Sequence, residues 1–190
     1  MQTTRWNIKR LSIVFIAFVG IYFIFSASNN KYEIDAIIKR TDPEKVWEFV
    51  SDFSKMKILN PTILDFKITS DNGNLHHWKY SVVYRERLSH WPYWINVGNA
   101  DIAVKKLNRP AKEALYLIES NHSTCFFAGL YCLYSRGEFR FTNHEGIHTR
   151  CVESIQYQCP PFFGQVCRKE VEFQRKAIVK NLTLQFPTKV

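Results

Sequence analysis

The chain has 190 residues, enough for one domain with a sizeable core and crowded for two. A composition 46% hydrophobic and 15% aromatic excludes wholesale disorder, because enough apolar surface can be buried to offset ordering entropy. The net charge of +9 favours phosphate-bearing partners in general, but no run of five basic residues and no nucleic-acid motif occurs. The basic excess therefore reads as solvated surface, and no nucleic-acid partner is expected.

The first element is Leu11 to Ser28, LSIVFIAFVGIYFIFSAS, which carries no charge. As a helix it would extend about 27 Å, close to the hydrocarbon thickness of a thin bilayer. Arg5, Lys9 and Arg10 precede it, and Trp6 and Tyr32 stand where interfacial aromatics are expected. Two readings fit. One is an uncleaved signal-anchor. The other is a cleaved signal peptide, with Ser26-Ala27-Ser28 as the cleavage site. The length of the run and its bulky Phe and Ile favour the anchor. The resulting division is a cytoplasmic N-terminus over 1–10, a transmembrane segment over 11–28 and a folded domain over 29–190. The flanking charges tilt only slightly towards that orientation.

Residues 29–31 read as a short polar linker. Lys31 to Arg40 alternates like a strand, with Tyr32, Ile34, Ala36 and Ile38 on one face. Asp42-Pro43-Glu44 predicts a capped helix start, and Val46, Trp47, Phe49 and Val50 supply its apolar stripe. A second short helix is predicted over Ser54 to Leu59, ending before Pro61. Strands follow at Ile63 to Thr69, His76 to Leu88, Trp94 to Lys106, Ala114 to Ser120, Tyr131 to Thr142 and Ile147 to Gln158. Asp71-Asn72-Gly73 and Asn108-Arg109-Pro110 mark turns, and Asn143 to Gly146 a hairpin connection. From Phe162 to Phe186 a helical period returns. It places Cys167, Val171, Ala177, Ile178, Leu182 and Leu184 on one arc and Arg168, Lys169, Glu172, Lys176 and Lys180 on the other. A sheet with one apolar face needs a cover, and this last helix provides it. The fold class is α+β: a curved antiparallel sheet of about seven strands around a long C-terminal helix, preceded by one transmembrane helix.

Strand YEIDAIIKRT followed by DPEKVWEFVSDFSKMKILNP resembles the opening of the START-like superfamily, also called helix-grip or Bet v 1-like. The likeness is to its polyketide cyclase and coenzyme Q-binding branch. It is carried by Pro43, Val46, Trp47, Asp52, Phe53, Asn60 and Pro61 and extends over about residues 31–186. It implies the same fold and, for the aromatic strand faces, a cavity. These motifs are structural and name no ligand.

The chemistry-bearing motifs are sparse. No Gly-rich phosphate loop, HExxH or GxSxG occurs, so no catalytic residue, metal ligand or cofactor is assigned. His76 and His77 adjoin in a strand and point to opposite faces. Arg85-Glu86-Arg87 could place a charge in a cavity but reads better as a rim salt bridge. Trp78, Tyr80, Tyr84, Trp94, Tyr116, Phe139, Phe141 and Ile178 are the expected lining of a site for a lipid, sterol or quinone. An ordinary packed core is the competing reading of each of them singly. His90 to Gly98, HWPYWINVG, fits a membrane-facing or cavity-mouth loop, or simply a packed aromatic strand start.

Binding, or binding and transfer, of such a hydrophobic ligand at a membrane is thus the expected function. A cyclase- or hydratase-type enzyme and a ligandless interaction domain are the rivals. Of two usable sequons, Asn121 is expected in a loop and able to carry a glycan, which would make the domain a lumenal or extracellular glycoprotein; Asn181 falls within the apolar arc of the last helix. The five cysteines, 125, 132, 151, 159 and 167, leave two readings open: scattered core thiols, or one or two disulfides with a spare thiol in an oxidising compartment.

Overall fold

The structure, a computed structural model, describes residues 2–74, 77–107, 115–126 and 130–187. In chain order it forms α1 (Gln2–Phe25), β1 (Ser28–Ile38), α2 (Pro43–Ser51), α3 (Phe53–Leu59), β2 (Ile63–Asn74) and β3 (His77–Arg87). Then come β4 (Ile95–Leu107), β5 (Leu115–Phe126), β6 (Tyr131–His144), β7 (His148–Cys159), a 3-10 turn (Pro161–Phe163) and α4 (Gly164–Gln185). The seven strands make one antiparallel sheet in the order β1-β7-β6-β5-β4-β3-β2.

The caps work as the sequence predicts. Asp42 accepts from the Glu44 amide, with Pro43 beginning α2, and Asp52 accepts from the Ser54 amide to start α3. Alternation then sorts the strands: the concave face of β3 carries Tyr80, Val82 and Tyr84, and Arg85 points outward to Asp65. The main core lies where α2, α3 and the C-terminal half of α4 meet this face. It includes Val46, Trp47, Phe53, Phe141, Ile178 and Leu182.

Several expectations need correction. β1 begins at Ser28, two residues beyond α1, so 29–31 is strand and not linker; pairing with Gln156 to Gln158 of β7 holds it there. β2 runs through the expected turn at 71–73. Asp71 takes the Trp78 indole N–H, and Gly73 has no Cβ to strike the backbone of His77 and Trp78. His76 lies outside the described residues, as do Asn108-Arg109-Pro110 and Ala114. Trp94 precedes β4, in the β3–β4 loop, where its amide closes a turn onto the Trp91 carbonyl. Asn121 is exposed on strand β5 rather than in a loop. Leu184 is 65% exposed, since the core contact of α4 ends at Leu182. The Asn143 to Gly146 connection stands as expected, with Glu145 and Gly146 at positive φ.

Two disulfides form, Cys125–Cys132 and Cys159–Cys167, and Cys151 is a buried free thiol. Burial pushes that thiol up to about 12, so it is inert at neutral pH. Among the described residues no helix is long and apolar enough to cross a membrane. In α1 the side chains described run from Arg10 to Tyr22, and these are exposed.

Candidate functional site

The interior between sheet and α4 has two unlike ends. At the end nearest α2, side chains fill it and their polar atoms are engaged. Tyr80 donates to the Ser51 carbonyl at 2.7 Å, Tyr116 to Glu44 at 3.0 Å, and the Trp47 indole to the Leu117 carbonyl at 3.2 Å. Phe139 and Phe141 stack at 4.5 Å between centroids.

The other end is polar. On β3, Glu86 continues the inward face after Tyr84, opposite buried Asn96 of β4. The Tyr84 ring lies across Gly98 of β4; a Cβ there would fall 2.6 Å from its Cζ. This path carries the Tyr84 hydroxyl over one strand to His122 Nδ1 on β5, 3.1 Å away. From the opposite side, Arg175 of α4 meets Glu153 of β7 at 2.6 Å, with side chains 16% and 7% exposed. Glu170, one turn earlier, accepts from the Ser89 amide and hydroxyl and from Gln174. It thereby ties the β3–β4 loop to α4.

The electrostatics follow from this crowding. Burial and the neighbouring Glu170 charge push the Glu86 carboxyl up to about 7, against the partial relief of Arg175 and Gln174. Burial and the Arg175 guanidinium push His122 down to about 4, so its imidazole is neutral at pH 7. Burial and the Glu86 charge also raise the Tyr84 phenol, so it keeps its proton. Glu86 and His122 are half-buried, each keeping some accessible surface. Among the described residues, Glu153 Oε2 and Arg175 Nε are buried with no hydrogen-bond partner. One acceptor and one donor are thus unspent in the same recess.

Of the residues expected to line a site, Tyr80, Tyr84, Tyr116, Phe139, Phe141 and Ile178 come together in one core, with Trp78 packed on its flank. Trp94 does not; it stands 48% exposed in the loop at the mouth. His122, Glu153, Glu170 and Arg175 were not expected, and Glu86 was read, within Arg85-Glu86-Arg87, as a rim salt bridge rather than a cavity charge. For Glu86 a signal existed, since it has the parity of Tyr80 and Tyr84. No three described residues gather as metal ligands. A separate surface cleft of about 410 Å³ lies at the far end, between Arg40 to Pro43 and the β6–β7 hairpin. Two of its polar groups are occupied locally: the Arg40 amide donates to His148 Nδ1 and the Gly146 amide to the Asn143 side-chain Oδ1.

Gly98 gives a direct test of this geometry. Gly98→Ala is expected to displace Tyr84 and cost about 1–3 kcal/mol, read as a lower urea midpoint with unchanged m. Tyr84→Phe, which keeps the ring and loses one hydrogen bond, is expected to cost only about 1 kcal/mol.

No known family model and no curated protein sequence matches the chain. Solved structures do. An aromatase/cyclase from Streptomyces sp. R1128 is 12% identical with a TM-score of 0.59, covering 83% of this chain and 93% of its own. A START superfamily protein from Mycobacterium smegmatis is 14% identical with a TM-score of 0.55, covering 85% and 97%. A truncated norcoclaurine synthase from Thalictrum flavum is 10% identical with a TM-score of 0.54, covering 87% and 98%. What this chain shares with them is the fold: the helix-grip arrangement that its opening residues resemble.

Proposed function

We propose that this START-like chain is a bilayer-tethered domain that holds a hydrophobic ligand, of the lipid, sterol or quinone class, between its sheet and α4. The unspent pair in the recess, Arg175 Nε and Glu153 Oε2, carries this reading. Leaving a buried donor or acceptor unmade costs about 1–3 kcal/mol each. A ligand hydroxyl satisfies both at once, accepting from Arg175 and donating to Glu153. Two carboxyls, Glu86 and Glu153, act on the one guanidinium of Arg175, and the Glu170 charge acts on Glu86, so a neutral polar end suits the recess better than an anionic one. Burial of the ligand's apolar body, which requires the packed side chains beside the recess to move apart, supplies the affinity, at about 25 cal/mol per Å².

The uncharged run Leu11 to Ser28 supports the tether, because it passes into β1 with almost no slack. The two disulfides support an oxidising compartment, and with it a lumenal or extracellular domain and a cytoplasmic N-terminus. Asn121, exposed on the outer face of the sheet, is the glycan acceptor in this reading. Asn181 is not, since its amide donates to the Leu59 carbonyl.

The test is extraction and mass spectrometry of lipid from the full chain purified in detergent. A stoichiometric neutral lipid is expected with the wild type and a marked loss with Arg175→Met. Absence of any co-purifying or exchangeable lipid in the wild type defeats the reading. An endoglycosidase shift abolished by Asn121→Gln checks the orientation.

A second reading is favoured by one observation, the acid–base character of the recess. Glu86 titrating near pH 7 beside a Tyr84–His122 pair is equipped to move a proton on a bound carbonyl compound, as a cyclase- or hydratase-type enzyme would. Turnover abolished by Glu86→Gln with ligand retention intact would select this reading over passive binding.

A further inference from the structure

We infer that the end of the domain nearest α1 is itself a phospholipid-docking face, which seats the polar recess against the bilayer. This rests on the reading of α1 as the membrane tether, and adds a second contact independent of it. The antiparallel registers bring the relevant loops to one end. β1 starts there at Ser28 opposite Cys159, the last residue of β7. β3 ends there at Arg87 opposite Ile95, and β5 ends there at Phe126 opposite Tyr131. The 3-10 turn after β7 lies there too, and α1 packs against it.

Three of these connections carry an uncovered apolar side chain. The β3–β4 loop offers Trp91, Tyr93 and Trp94, the first two 59% and 98% exposed. The β5–β6 connection offers Leu130 at 88%, and the 3-10 turn offers Phe162 at 73% with Phe163 beside it. Trp and Tyr at the tip of a loop, with an apolar body and a polar edge, suit the headgroup level of a membrane. In water, such a cluster on a monomer would be an unexplained liability.

The chain itself names the occupant. Only two residues separate the end of α1 from the start of β1, so a membrane holding α1 lies directly against this end. The β3–β4 loop is also the one that Ser89 fastens to Glu170 of α4. The aromatic tips therefore flank the recess lined by Glu86 and Arg175, and a ligand can pass from the lipid phase without crossing water.

The test uses the full chain reconstituted into phosphatidylcholine vesicles. A dansyl-bearing amino acid is placed in turn at positions 93, 130 and 162, and at position 145 in the β6–β7 hairpin of the opposite end. Flotation reports the tether; quenching by doxyl lipid or by aqueous iodide reports the docking face. Chain that floats, with probes at 93, 130 and 162 quenched by doxyl lipid at least about twofold more than at 145, supports the inference. Chain that floats while those three probes are quenched by iodide as readily as at 145 overturns it and leaves the tether standing. Probes shielded from both quenchers overturn it in favour of a protein partner. Chain that does not float overturns tether and docking face together.

Discussion

Arg175→Met is expected to lower the unfolding free energy by about 3–5 kcal/mol, because it leaves the Glu153 carboxyl buried without its cation. The pair links α4 to β7 across 22 residues of chain and sits between two apolar clusters. No water-exposed position is open to Glu153, whose side chain is 7% exposed and fixed on a central strand. Urea unfolding of the full chain, with Glu153→Leu/Arg175→Met as the partner variant, separates two accounts. If the pair is a specificity device, the double variant regains most of the lost stability or exceeds the wild type, since well-packed apolar pairs of similar volume commonly do. It would then lose the ligand while keeping the fold. If the single variant costs less than about 1 kcal/mol, water reaches the recess freely and the enclosed site is wrong.

The parts of this fold that depend on neighbours in sequence were legible, and the parts that depend on distant pairing were not. Asp42-Pro43 and Asp52 announce α2 and α3 because a cap is a contact over two residues. Strand alternation gave the inward aromatics, since parity is a local property. The same parity placed Glu86 inward, but an ionisable side chain between Arg85 and Arg87 reads as surface unless its cover is known. That cover, Glu170, Gln174 and Arg175, arrives some eighty residues later on α4. Trp94 misled for the converse reason: its aromaticity says that it wants an apolar surround and not which one. The disulfides are likewise tertiary facts. Cys125–Cys132 joins residues that face each other across β5 and β6, and Cys159–Cys167 joins the end of β7 to the first turns of α4. Neither distance is visible before the sheet is closed.

The pH dependence of stability should be nearly flat for the wild type between pH 5 and 6.5, above the range where the ion-paired Asp35, Glu44, Asp65 and Glu172 take up protons, and steep in opposite senses for two variants. Glu86 is raised from the ordinary 4.5 to about 7. Between those values the folded state binds the extra proton, so stability falls as pH rises through the window, by about 3 kcal/mol at 1.4 per unit. His122 is lowered from the ordinary 6.5 to about 4. Between those values the unfolded chain binds the extra proton, so stability rises with pH by about the same amount. The two windows overlap almost entirely, and their slopes oppose. Removing one group exposes the other. Glu86→Gln should gain stability steadily from pH 4 to 6.5, and His122→Gln should lose it from pH 4.5 to 7, each measured by urea midpoints at half-unit intervals. Parallel flat profiles in both variants would mean that neither group is shielded from water. The interior would then be an open groove in which an imidazole and a carboxyl titrate as they do on any surface, and the recess could not discriminate a neutral ligand head from a charged one.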